Sequence, residues 1–263
     1  MSYKFIIICC LTVILHFFGI IMISSRIVAI RTKKVASSAS VFNLISIFSL
    51  AAATIQFPIL TKLIESSIET KGDSTIVLVR EILVLSTLGT LLGAFAIPSV
   101  QRIMKRLAES LFVNGSLLKV LFNRSTFKEI KQDIVFPKKA TFYFFKLHSD
   151  IPMGIILINI FAYCMISSSV LFCLYAGFLN PALRTTSLAL KGLSIGLGSF
   201  ATMMIIEPYN SSLTDQVIHG INRESYFRRY ISYVVFARIS GTILAQFLLV
   251  PMAKGISFIS LYF

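Results

Sequence analysis

Six stretches of about 20 mostly apolar residues constrain the fold of this chain more than any other feature. A transmembrane helix needs about 20 apolar residues to cross roughly 30 Å of hydrocarbon, and each stretch has that length. The strands of a membrane barrel are shorter and alternate in polarity, which these stretches do not. The sequence therefore predicts an all-α, polytopic membrane protein with about six transmembrane helices, at residues 5–23, 39–60, 76–99, 151–178, 188–206 and 231–251.

The composition agrees with this class. Hydrophobic residues make up 56% of the chain and the mean hydropathy is +0.84, far above the values of soluble domains. The first stretch runs longer than the apolar region of a signal peptide and lacks a small-x-small cleavage site before Arg26. We expect it to remain as the first span of a single membrane domain, residues 1–263.

Lysine and arginine are distributed unevenly between the two sides of this predicted bundle. Seventeen of them lie in connections 24–38, 100–150 and 207–230, whereas the N-terminal segment and the connections on the opposite side hold four: Lys4, Lys62, Lys71 and Arg184. The positive-inside rule therefore predicts that these three connections are cytoplasmic and that both termini lie outside. The net charge of +14 suits a surface that faces anionic membrane lipids, and it requires no nucleic acid.

The longest connection, residues 100–150, is basic and too long for a structureless loop. Its first part, RIMKRLAESLFVNGSLLKVLF, places apolar residues at helical spacing among basic ones. We expect it to be partly helical. An interfacial amphipathic helix and a cytoplasmic extension of the third span both fit the pattern.

Charged residues inside the spans are costly in lipid and usually face a protein interior or a watery cavity. With the predicted orientation, Arg26, Arg31 and Arg238 lie toward the cytoplasmic half, and Arg80 and Lys191 toward the outer half. These cations are suited to hold an anionic group on both sides of the bilayer, since arginine offers bidentate geometry to phosphate.

Structural roles for the same residues stay open. Arg26 and Arg31 also fit a stop signal at the end of the first span, where they would bind lipid headgroups. The remaining charges offer partners within the protein: Arg80 has Glu81 or Glu65, and Arg238 has Glu207.

Enzymatic and cofactor motifs are not found in the sequence. It has no GxxxxGK[ST] loop, no HExxH and no aspartate cluster for magnesium. Its three histidines are far apart and its four cysteines lie in apolar stretches, which favours neither a metal site nor a disulfide frame. We therefore predict a protein that is not an enzyme and needs no metal or other cofactor.

Glycines recur at four-residue spacing in the third and fifth spans, at Gly89 and Gly93 and at Gly192 and Gly196. Such small-xxx-small faces let helices approach closely. They predict helix packing within the bundle, and they leave a homodimer open.

Four segments resemble the Amj family of alternate lipid II flippases: HFFGIIMISSRIVAIRT, SVFNLISIFSLAAATIQFPIL, EPYNSSLTDQVIHG and RISGTILAQFLLVP, in the family's order. The resemblance implies transport of lipid II, the undecaprenyl-pyrophosphate-linked peptidoglycan precursor, to the outer leaflet of a bacterial cell membrane. It implies roles in cell-wall synthesis and cell shape. The family's blocks cover Arg26, Arg31, Thr32, Asn43, Gln56, Glu207, Pro208, Asp215, Arg238, Gly241 and Gln246 of this chain.

Two positions depart from the family's pattern. Glu207 stands where an aspartate is usual before proline, and the second span has no basic residue near Leu50. Both departures bear on which polyprenyl lipid is carried more than on the class of protein.

The charge pattern and the resemblance combine into one hypothesis. Arg26, Arg31 and Arg238 capture pyrophosphate at the cytoplasmic side, and Arg80 and Lys191 receive it beyond the midplane. Three amides complete the predicted substrate-binding set, and three acids are candidates for charge pairing or coupling: Asn43, Gln56 and Gln246, then Glu207, Asp215 and Glu81. The alternatives are a flippase for another polyprenyl-linked sugar, an assembly protein that binds lipid II without moving it and, third, a membrane enzyme of lipid synthesis.

Overall fold

The computed structural model describes residues 3–70, 75–115, 133–135 and 150–263, and every regular element among them is helical. The α-helices are α1 Tyr3–Ile21, α2 Ser24–Thr32, α3 Val35–Glu69, α4 Thr75–Asn114, α5 Met153–Leu179, α6 Arg184–Ala189, α7 Lys191–Ala201, α8 Glu207–Ile218 and α9 Glu224–Ile259. A π-helical turn, Thr202–Ile206, joins α7 to α8, and short 3-10 turns lie at Pro181–Leu183 and Ser260–Tyr262. The all-α prediction is confirmed.

Among the described residues, six helical segments are long and apolar enough to cross a membrane, and they correspond to the six predicted stretches. The fifth span differs in detail, since residues 188–206 belong to a composite segment, Pro181–Ile218, in place of one α-helix. The first span also continues past its predicted end, because α2 follows α1 after a short break. Lys33, with φ 56° in the left-handed region, ends α2 before α3 begins.

Glycine governs the closest helix contacts. A Cβ atom at Gly89 would lie 2.7 Å from the carbonyl oxygen of Val13, and one at Gly93 would lie 2.7 Å from that of Phe17. These distances are shorter than real Cβ contacts, so α4 can approach α1 only where it lacks side chains. Gly241 of α9 meets α5 in the same way, at 2.8 Å from the carbonyl oxygen of Ile160.

The start of the long connection continues the third span. Residues 101–114 belong to α4, and Met104 and Leu107 pack with Val28 and Val41 in a small apolar cluster. Farther along, Asp133 accepts hydrogen bonds from Arg106, from Nε at 2.8 Å. The rest of the predicted basic connection, residues 116–132 and 136–149, lies outside the described residues.

Candidate functional site

A cavity of about 740 Å³ lies inside the helix bundle. Residues of α1, α2, α3, α4, α5, α9 and the fifth span line it. On α3 the lining extends from Val35 to Leu60, which is roughly 38 Å of helix axis at 1.5 Å per residue. The cavity therefore extends over a length comparable with the thickness of a bilayer's hydrocarbon region.

The two ends of this cavity differ. At the end near α2, Val35 is 51% exposed and Phe42 is 36% exposed. At the far end, Leu60, Ile82 and Leu171 are at most 5% exposed and belong to the largest apolar core cluster. The cavity is thus accessible near α2 and sealed by packed aliphatic side chains at the other end.

An ion pair joins the two sides of the cavity near its accessible end. Arg26 of α2 donates through Nη2 to Oε2 of Glu207, the first residue of α8. Both side chains line the cavity, and they keep 26% and 46% of their surface exposed. Because both groups are accessible, another ion entering the cavity can compete for either partner.

A second guanidinium group, that of Arg238 on α9, lines the same cavity. Its Nη1 donates to the carbonyl oxygen of Gly19 at 2.8 Å, and its Cζ lies 5.3 Å from the ring centroid of Tyr163. Both contacts orient the group without neutralising its charge, since the partners are a carbonyl and an aromatic face. Arg238 is therefore a positioned cation facing the cavity.

Neutral polar groups complete the lining. Gln56 donates to the hydroxyl of Thr12 at 2.6 Å, and Tyr230 donates to the amide oxygen of Asn210 at 2.6 Å. His16 and Ser38 also line the cavity, and their Nδ1 and Oγ atoms are buried without a hydrogen-bond partner among the described residues. Buried polar atoms without partners are costly, so these two side chains gain hydrogen bonds if they turn toward a polar ligand in the cavity.

The cavity brings together some of the predicted site residues. Arg26, Arg238, Gln56 and Glu207 line it. The other predicted residues stand outside the lining: Arg31, Arg80, Asn43, Gln246, Lys191, Asp215 and Glu81.

The contacts of these outer residues show what they do in this conformation. Arg31 donates to Glu224 at 3.0 Å, linking α2 to α9. Gln246 donates to the backbone carbonyl of Arg80 at 3.0 Å, linking α9 to α4.

Among the lining residues, Glu207 pairs with Arg26, whereas the sequence suggested Arg238 as its partner.

Several polar lining residues were not predicted. Asn159 is 6% exposed within the apolar helix α5, and an amide inside such a span is a signal that the sequence offers. Asn210 and Thr214 follow Glu207 at spacings of three and seven residues, which puts them on one face of α8. That polar stripe is visible in the sequence once the register of α8 is known.

A gap separates α3 from the fifth span along one side of the cavity. α3 packs mainly on α1, α2, α4 and α5, whereas α7 packs on α5. Across the gap, Lys191 Nζ lies 4.1 Å from the ring centroid of Phe57. Apolar residues of both helices, such as Ala53 and Ile195, line the cavity beside this contact.

These features define a class, that of multi-pass helical membrane proteins with a cationic, partly apolar cavity inside the bundle. The family model Amj, described as Alternate to MurJ, matches residues 11–260, and the chain belongs to this family. The resemblance inferred from the sequence is thereby confirmed. The chain is 27% identical over 262 residues to "Lipid II flippase Amj" of Bacillus subtilis (strain 168), covering 97% of this chain and 96% of the relative. No solved structure matches it.

Proposed function

We propose that this protein moves lipid II from the inner to the outer leaflet of the bacterial cell membrane, as a transporter and not as an enzyme. The observation that carries the proposal is the placement of Arg26 and Arg238 in one cavity that extends along the bundle. The name of the Bacillus subtilis relative supports lipid II as the substrate. Flippases for other polyprenyl-linked sugars share the same chemistry, and the experiment below separates them.

The head of lipid II suits the polar lining. Its pyrophosphate carries two negative charges, and guanidinium groups bind phosphate oxygens in bidentate geometry. The amides of Gln56, Asn159 and Asn210 are suited to the hydroxyl and peptide groups of the glycopeptide. His16 and Ser38 add two further polar side chains to the lining.

The polyprenyl tail needs a path that stays in the lipid. The gap between α3 and the fifth span offers such a path, because its apolar edges line the cavity on one side and lie at the surface of the bundle on the other. Leu50 of α3 and Leu197 of α7 are 68% and 49% exposed. We propose that the head travels inside the bundle while the tail remains outside, in the bilayer.

The predicted orientation sets the direction. With both termini outside, the accessible end near Arg26 faces the cytoplasm, where lipid II is made, and the apolar seal around Leu60 faces outward. A membrane potential that is negative inside favours outward movement of an anion by about 2.3 kcal/mol per charge per 100 mV. This bias requires no nucleotide. Basic connections on the cytoplasmic side hold the protein against anionic lipids.

A cavity that contains two arginines favours a transporter. It does not favour the alternative, an assembly protein that binds lipid II without moving it. In an assembly protein the bundle has no need of an internal path, and we would expect it to be sealed around Arg26 and Arg238. The structure instead gives both residues access to one cavity.

The test is the accessibility of lipid II to an external probe in cells depleted of their other flippases. We expect the wild type to restore labelling, and the double variant Arg26→Ala/Arg238→Ala to lose most of it although it is inserted normally. Arg31→Ala, which removes an ion pair outside the cavity, is the matched control and should retain labelling. No restoration by the wild type would refute lipid II transport. Restoration by the double variant would refute the proposed site.

A further inference from the structure

The carboxylate of Glu207 occupies the place on Arg26 that a substrate phosphate would take. Both groups line the cavity near its accessible end, and neither is fully buried. A partly exposed ion pair contributes little stability, because water solvates both ions when they separate. The pair is therefore readily broken by an anion that binds arginine better.

The charges of the cavity support this exchange. With Glu207 on Arg26, the lining ions described in the structure carry one net positive charge, that of Arg238. Once Glu207 moves away, two guanidinium groups face the cavity. Two positive charges match the two negative charges of a pyrophosphate diester, whereas one does not.

We propose that Glu207 is a displaceable counter-ion: entering pyrophosphate replaces it on Arg26, and its return to Arg26 helps to expel the anion. This inference rests on the proposed function. The pair also links α2 to α8, which pack against each other as well, so the same exchange weakens the connection between the first and the fifth span. Substrate binding would thereby loosen the two helices that border the path of the head.

A fixed structural link between helices is the competing explanation, and the molecule contains a matched case. Arg31 and Glu224 also join α2 to a later helix, with Nε and Oε1 3.0 Å apart, but neither residue lines the cavity. Removing either carboxylate breaks an interhelical ion pair of similar exposure. Only the loss of Glu207 removes a competitor for the substrate's site.

The experiment titrates the purified full-length protein in lipid nanodiscs with farnesyl pyrophosphate, a short polyprenyl pyrophosphate. We expect Glu207→Gln to bind it about fivefold more tightly than the wild type. Glu224→Gln should bind within about twofold of the wild type. In the cell assay, Glu207→Gln should expose less lipid II than the wild type, because release of the anion becomes slower.

Unchanged or weaker binding by Glu207→Gln would overturn the exchange while leaving the transport proposal standing. Tighter binding by Glu207→Gln, with no lipid II exposed by the wild type in cells, would instead refute lipid II transport and leave the exchange intact. If the Gln variant does not fold, Glu207→Asp serves in its place, since its shorter carboxylate reaches Arg26 less well. We expect it to bind about twofold more tightly than the wild type, and equal or weaker binding would refute the exchange.

Discussion

Four helices of the bundle form a tightly packed frame, whereas two spans stand loosely beside it. In the frame, made of α1, α4, α5 and α9, the most apolar stretches of α4 and α5 are 39% and 50% buried. In the two walls, α3 and the fifth span, the corresponding values are 11% and 17%. Glycines allow close helix contacts within the frame and also between α7 and α5, where a Cβ at Gly198 would lie 2.7 Å from the carbonyl oxygen of Ala162. The two walls meet each other at Lys191 and Phe57, in a cation–π contact. From this difference we expect the frame to hold its shape while the walls move around the cavity.

The largest effect is expected from a cross-link between the two walls, because it tests whether they move relative to each other. In a background without native cysteines, we expect a cleavable cross-link between Phe57→Cys and Lys191→Cys to abolish lipid II exposure, and reduction to restore it. The control is a cross-link between Asp150→Cys and Arg229→Cys, which joins the chain just before α5 to α9 of the frame, away from the cavity, and should leave lipid II exposure unchanged. Full activity with locked walls would show that they do not move apart during transport.

A substitution in the frame should cost stability. Gly93→Leu forces a side chain against the backbone of α1, and overpacking of this kind costs about 1–3 kcal/mol. We expect a lower thermal unfolding temperature and less folded protein in detergent. Gly196→Leu is the control, because no atom lies within 4 Å of a Cβ at that position. If Gly196→Leu destabilises the protein equally, a second copy covers this face, as the open homodimer alternative predicts.

A conservative change in the cavity should have a moderate effect. Arg238→Lys keeps the charge but loses bidentate geometry and stacking over Tyr163. We expect farnesyl pyrophosphate to bind about tenfold more weakly. Arg31→Lys, outside the lining, should leave the affinity within about twofold. Equal affinities for the wild type and Arg238→Lys would mean that Arg238 acts only as a positive charge.

The smallest effect is expected at the contact between the walls. Lys191→Met removes the cation–π contact with Phe57, which is worth about 0.5–1 kcal/mol. We expect a thiol reagent to label Gln56→Cys about two- to fivefold faster when this contact is lost. Lys62→Met, which removes an exposed pair with Glu65, is the control and should not change the rate. An unchanged rate in Lys191→Met would show that this contact does not close the gap.

The spans were predictable because length and apolarity are local properties of a helix in lipid. The break of the fifth span near Leu190 was not, because residues 188–206 are predominantly apolar and carry no proline. The site was predictable in part, since Arg26 and Arg238 are conspicuous charges at the edge of or inside apolar segments. The partner of Glu207 was not, because it lies 181 residues away in the chain and depends on how α8 meets α2.

Arg31 was grouped with Arg26 because the two residues are close in sequence, but they do not lie in the same cavity. Arg31 lies five residues after Arg26 on the same helix, α2. At 3.6 residues per turn, five residues place two side chains about 140° apart. They therefore cannot face one cavity together, and Arg31 turns to α9 instead. Capture of pyrophosphate by Arg31 stays a prediction from the sequence, and the site proposed in the cavity leaves Arg31 out.

The π-helical turn at Thr202–Ile206 determines the rotation of α8 about its own axis. Such a turn holds one residue more than an α-helical turn. If that residue were removed, α8 would rotate by about 100° about its axis. Glu207, Asn210 and Thr214 would leave the cavity together, although none of them had been changed. The chemistry of this face of α8 therefore depends on the number of residues that precede it as well as on its own sequence. One residue more or less decides whether these side chains face the cavity or the lipid.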